Sequence, residues 1–123
     1  SGVEPVLRHP DPAVRVRALQ ALPYVANATH SAVGDALLDA QPEVRAAAAV
    51  AAGKLRLADL SDALVSVLAD PIGDVASAAA FALAVLPDGV SRLQHAVSSG
   101  NRRAAAVAFE ALEKVTMGRM ELV

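Results

Sequence analysis

The feature that most restricts how this chain can fold is a segment that recurs along it. Val14 to Leu22 can be laid over Val44 to Ala52, then over Val75 to Leu83, then over Asn101 to Phe109, with the same small and apolar positions filled. The copies begin at Val14, Val44, Val75 and Asn101, giving offsets of 30, 31 and 26 residues. A period of this length marks a supersecondary unit that cannot bury its apolar face alone and must stack on its neighbours. A turn precedes each copy: His9-Pro10-Asp11-Pro12, Gln41-Pro42, Asp70-Pro71-Ile72-Gly73-Asp74, and Ser98-Ser99-Gly100-Asn101. Proline is tolerated in the first turn of a helix, and Asp or Asn just before it accepts hydrogen bonds from free amides, so these turns are helix starts.

A shorter apolar helix comes before each turn, over Val3 to Arg8, Ser31 to Ala40, Leu60 to Ala69 and Asp88 to Ser98. The apolar residues Leu60, Leu64, Val67 and Leu68 follow i, i+4, i+7 and i+8, which is a helical spacing. Each unit therefore reads as a short A helix, a tight turn and an alanine-rich B helix. The predicted fold is all-α: an α-α superhelix, a right-handed solenoid of about four helix-pair repeats. The units fall at approximately 3–28, 29–57, 58–87 and 88–117, within a single domain spanning 1–123.

Composition agrees with this. The chain is 54% hydrophobic but only 2% aromatic, so its core must be built from small side chains that bring helices close together. A formal charge of -2 supplies no general field for a nucleic-acid backbone, and no nucleic-acid partner is expected. The absence of cysteine removes disulfides, thiolate metal sites and a cysteine nucleophile, and leaves the compartment open. The longest apolar run, Val75 to Leu86, is well short of the roughly 20 residues that cross a bilayer, so it reads as a buried helix and this segment is not expected to insert into a membrane.

Residues suited to chemistry are scattered. His9, His30 and His95 fall in or near different turns without metal-ligand spacing, and Gly53-Lys54 lacks the rest of a phosphate-binding loop. Asp11, Asp35, Asp62, Asp74 and Asp88 read as helix-start residues, explained by capping and the helix dipole. Arg102-Arg103 opens the last B helix and reads as a solvated pair. No catalytic residue, metal site or cofactor is expected, and the chain does not read as an enzyme.

The pattern Asp11-Pro12-Ala13-Val14-Arg15-Val16-Arg17-Ala18-Leu19-Gln20-Ala21-Leu22, closely repeated at Gln41-Pro42-Glu43-Val44-Arg45, resembles the second-helix signature of the HEAT repeat family, in its short bacterial form also seen in phycobilisome-lyase-like proteins. The resemblance spans nearly the whole chain and implies a protein-interaction scaffold. It also implies an Asp–Arg ladder between adjacent units, with Asp11, Arg15 and Arg45 at matching positions. In the third unit the Arg place is taken by Ala76, and in the fourth by Arg102. A lyase-type reading, in which the concavity holds a small apolar ligand as a non-catalytic accessory domain or subunit, is the alternative.

If Val14, Ala18, Ala21 and Leu22 point into the stack, a turn of about 100° per residue puts Gln20 on the opposite side of its helix. The corresponding residues are Val50, Phe81 and Val107, mostly apolar where a soluble array would place charge. Arg17, Ala47, Ala78 and Ala104 flank this row on one side, and Tyr24, Lys54, Val85 and Ala111 on the other. The expected partner-binding residues are Arg17, Gln20, Tyr24, Val50, Lys54, Phe81 and Val107, on a concave B-helix face that receives a protein segment or a second copy of the chain. Gly118 is expected to stop the last helix, and the apolar ends predict a fragment of a larger protein or a homodimer.

Overall fold

The computed structural model describes the backbone of residues 7–24 and 30–121, and side chains as far as Met117 apart from that of His30. Among the described residues there are seven α-helices and no strand: α1 Pro12–Ala21, α2 His30–Ala36, α3 Pro42–Lys54, α4 Ser61–Val67, α5 Gly73–Ala84, α6 Gly89–Val97 and α7 Arg102–Glu121. The long helices α1, α3, α5 and α7 are the expected B helices, and α2, α4 and α6 are A helices. The expected first A helix lies outside the described residues except for Leu7 and Arg8.

The turns show why the helices start where they do. Asp11 Oδ1 accepts the Ala13 amide at 2.9 Å, with Pro12 in the first turn of α1. Asn101 Oδ1 does the same for Ala104 at the head of α7. Two residues before each cap stands an acceptor that closes the turn. His9 Nδ1 takes the Asp11 amide, Asp39 Oδ1 the Gln41 amide, Asp70 Oδ1 the Ile72 amide and Ser99 Oγ the Asn101 amide. One backbone geometry is thus served by three kinds of side chain, histidine, aspartate and serine.

These caps set the register of the fourth unit. Asn101 occupies the place of Asp11, Gln41 and Ile72, so Ala104, and not Asn101, matches Val14, Val44 and Val75. The last offset is therefore 29 residues, not 26. Alanine-rich sequence reads alike in the two registers, because three residues turn a helix through about 300° and leave the apolar stripe displaced by only ~60°. In the corrected register Glu110 is the counterpart of Phe81, Lys114 that of Lys54 and Ala105 that of Arg45, while Val107 joins Arg17, Ala47 and Ala78 in the flanking row.

B helices pack directly on one another in the order α1, α3, α5, α7, each A helix packs on its own B helix, and contact between A helices is slight. The core consists of small B-helix residues, Ala48, Ala49, Ala52, Ala79, Ala80 and Ala108, interleaved with Leu37, Leu64, Leu68, Leu83 and Leu93. Complete burial of a leucine side chain is worth about 1.5–3 kcal/mol, so the leucines supply much of the stability while the alanines permit the approach. That approach reaches backbone contact at Gly53, where an added Cβ would lie 3.0 Å from Ala82 Cα on α5. At Gly89 it would lie 1.4 Å from the Leu83 carbonyl oxygen, so the start of α6 sits directly on the last turns of α5.

Two local expectations are corrected. Asp35 lies in the last turn of α2, not at a helix start. The final helix runs through Gly118 as far as Glu121, since glycine costs a helix interior only about 1 kcal/mol relative to alanine and does not by itself end one.

Candidate protein-binding face

The ladder arginines come first, because they decide which charges are available to a partner. Arg15 forms a bidentate pair with Asp39 at 2.9 and 3.0 Å and also donates to the carbonyls of His9 and Pro10. Arg45 repeats this one unit later, pairing with Asp70 at 2.8 and 3.2 Å and donating to the carbonyls of Asp39 and Ala40. Each guanidinium ties its own turn to the turn of the next unit. The acidic partner is thus the turn-closing Asp39 or Asp70, and Asp11 caps α1 instead. Aligning the turns, and not the helices, would have exposed Asp39 and Asp70 in the sequence.

Burial pushes the Asp39 carboxyl up, but the Gln41 amide and the Arg15 guanidinium outweigh it and hold it below the ordinary range. Asp70 is likewise raised by burial and brought down further by Arg45 and the Ile72 amide. The hydrogen bond to Asp70 raises Arg45, against a smaller opposing effect of burial.

The ladder stops at the third unit, where Ala76 is buried and Ser99 replaces the aspartate. A different cluster joins the A helices there: Arg92 binds Asp88 at 2.6 Å and Asp62 across the unit boundary, and Ser61 Oγ donates to Asp88. Beside it is a hollow of about 690 Å³ between α4 and α6, lined in part by Arg92, His95 and Ser99. Among the described residues no buried side-chain polar atom lacks a partner, and no three of His, Cys, Asp or Glu are grouped to hold a metal ion. No described helix is long and apolar enough to cross a membrane.

The outward B-helix row is where apolar surface remains. Val50, Phe81 and Val85 are 45%, 38% and 44% exposed. They share a hollow of about 290 Å³ with Gly53, Lys54, Arg56, Ala78 and Ala82. Lys114 reaches from α7 over the Phe81 ring, its Nζ 4.9 Å from the centroid, and pairs with Glu110 one turn earlier. A second hollow, of about 440 Å³, continues from Val50 toward the helix starts, walled by Val16, Gln20, Glu43, Ala47, Ile72 and Asp74 among others.

Of the residues expected to bind a partner, the structure brings Gln20, Val50, Lys54 and Phe81 onto these two hollows. Arg17 and Tyr24 are exposed on α1 and just beyond it, outside both linings, and Val107 is half-buried against the core. Sequence reasoning missed Arg56, Lys114, Glu43 and Asp74. Arg56 is the least expected of these, with a positive φ of 56°. It ends α3 in the left-handed turn usually given to glycine: the Leu57 amide reaches back to Ala52 and the Arg56 amide to Gly53, and Leu57 is buried. The Arg56 guanidinium donates to the Val85 carbonyl at 2.7 Å, closing the end of α5.

Paired helices stacked through small-residue B helices and registered by arginine rungs define an α-α superhelical repeat protein, a class whose stacked units present extended surfaces. The family described as HEAT repeats matches residues 2–84, more than half the length, and the chain belongs to that family. None of the curated proteins matches it. HEAT repeats generally serve as protein-interaction scaffolds, and the family is typically non-catalytic.

Proposed function

We propose that this chain is an interaction scaffold that binds a protein partner through the B-helix face centred on Val50, Phe81 and Val85. The observation that carries this reading is the run of three large apolar side chains, each more than a third exposed, over the two joined hollows. Exposed apolar residues gathered into one patch usually mark an interaction site. Close packing among the B helices, with little contact among the A helices, supports putting the B helices on the inside of the curve.

The test is quantitative affinity capture with three baits: the native chain, Phe81→Asp, and Ser66→Asp on the exposed side of α4. Circular dichroism confirms the fold of each. Partners held by the native chain and Ser66→Asp but lost from Phe81→Asp are expected. Equal capture by Phe81→Asp would refute the assignment of the face.

A second reading is self-association through the last unit. Phe109 is 55% exposed, whereas its counterparts Leu19, Ala49 and Ala80 are covered by the following unit. Phe109 also lines a hollow of about 440 Å³ with Val97, Leu112 and Met117. A second copy stacked there would give a concentration-dependent dimer in sedimentation equilibrium, lost in Phe109→Lys. A native chain that stays monomeric at high concentration would remove this reading.

A further inference from the structure

The two hollows on the B-helix face meet at Val50, which lines both, and taken together as one groove they carry opposite charge at their two outer ends. Glu43, Ala46, Ala47, Val50, Gly53 and Lys54 line it in turn, following i, i+3, i+4, i+7, i+10 and i+11 along α3. The groove therefore runs along α3 and does not cross the helices. α3 has 13 residues, so the floor is about 20 Å long at 1.5 Å per residue. Its middle is apolar, made by Ala47, Val50, Ala78 and Phe81.

Glu43 and Asp74, both exposed, stand at the end formed by the starts of α3 and α5. Lys54 and Arg56 line the opposite end, with Lys114 leaning over Phe81 beside them. The dipoles of α3 and α5 account for acidic residues in their first turns and for Lys54 in the last turn of α3. They do not account for Arg56, which holds a backbone conformation that glycine would adopt at lower cost. Among the described residues, its guanidinium, which has five N–H donors, makes one hydrogen bond, to the Val85 carbonyl.

We propose that the occupant of this groove is an amphipathic helix of roughly 13 residues lying along α3, apolar on the face it buries, with a basic side chain at the Glu43–Asp74 end and an acidic one at the Lys54–Arg56 end. This rests on the B-helix face being the binding surface. Charge complementarity then sets how the helix lies. Because the groove has opposite charge at its two ends, a helix with both kinds of charge seats in only one direction, and a helix charged alike at both ends always meets one repulsive end.

The probes are three stapled, fluorescently labelled 14-residue helical peptides sharing one leucine stripe. One carries two lysines at one end and two glutamates at the other, one carries glutamates at both ends, and one carries lysines at both ends. Fluorescence polarisation against the full chain is expected to show the mixed peptide binding about tenfold more tightly than either of the others at low salt, with the difference nearly gone at about 0.5 M salt, where charges are screened within a few Å. In Glu43→Lys/Asp74→Lys, which changes only exposed side chains, the all-glutamate peptide is expected to become the tightest. Equal binding of all three peptides, abolished by Phe81→Asp, would leave the binding face standing and overturn the charge selection. No binding by any of them at millimolar concentration would overturn both. A dimer of the native chain that Phe81→Asp dissociates would put a second copy on the groove and overturn the helical occupant.

Discussion

The rung between Arg45 and Asp70 is the interaction whose removal is most informative, because the repeat itself supplies its controls. The two side chains are 16% and 9% exposed, and Arg45 makes four hydrogen bonds: two to the Asp70 carboxylate and two to turn carbonyls. Exposed ion pairs are worth about 0–1 kcal/mol, while breaking a buried pair costs about 3–5 kcal/mol. A pair this enclosed but still touching water belongs between those limits, so Arg45→Ala is expected to cost about 3 kcal/mol. Asp70→Asn keeps an acceptor for the Ile72 amide and should cost about 2 kcal/mol. In the double variant Asp70 is no longer left as an uncompensated charge, and the coupling from the cycle is expected to be about 1.5–2 kcal/mol. For a chain of 123 residues, 3 kcal/mol corresponds to a fall in Tm of about 10 °C. Urea unfolding followed by circular dichroism gives all four corners of the cycle, provided the m-value is unchanged. A coupling below about 0.5 kcal/mol would refute the claim that the rung holds the units in register, and would reduce the ladder to surface charge.

Three further outcomes are expected. Gly89→Ala forces a Cβ into the Leu83 carbonyl, which no rotamer relieves, and should cost more than about 3 kcal/mol in the same urea assay; a loss under 1 kcal/mol would show that α6 does not sit on α5 as described. Ala48→Asp places an unpaired carboxylate at a fully buried position between B helices and should leave little folded protein at 25 °C by circular dichroism, so a cooperative melt near the native Tm would overturn the stacking register. The third concerns pH. Asp39 and Asp70 have folded pKa values below the unfolded value of about 3.9, so their contribution is fully present above that value and is lost as pH falls through the lower folded pKa. Tm measured from pH 7 to pH 2 should fall below about pH 4, and Asp39→Asn/Asp70→Asn should flatten that fall; an unchanged acid limb in the double variant would contradict the assignment.

The repeat made most of the architecture legible. Val14 with Val44 and Val75, and Ala18 with Ala48 and Ala79, recur on one helical face, and that periodicity is a local property of the chain that requires these helices to stack. The central apolar residues Val50 and Phe81, and Lys54 beside them, were legible for the same reason, as the positions facing away from that stripe. The fourth unit was misread by three residues because its alanines satisfy two registers equally well, and the helix start at Arg102, with Asn101 as its cap and Ser99 closing the turn, distinguishes them. Asp39 and Asp70 were missed as ladder residues because their partners lie 24 and 25 residues away in sequence and meet them only when adjacent units stack. The same is true of Lys114 over Phe81 and Arg56 against Val85.

What the sequence determined by itself is therefore the repeated helix pair and the side of the first three B helices that is buried, since both follow from the 3.6-residue turn of a helix and the placing of small side chains. What only the tertiary structure decided is the pairing of charges between units and the meeting of two hollows at Val50, one with acidic residues at its outer end and the other with basic ones. Those depend on the angle and separation at which neighbouring helices settle, and side-chain volume and backbone contact between units set both.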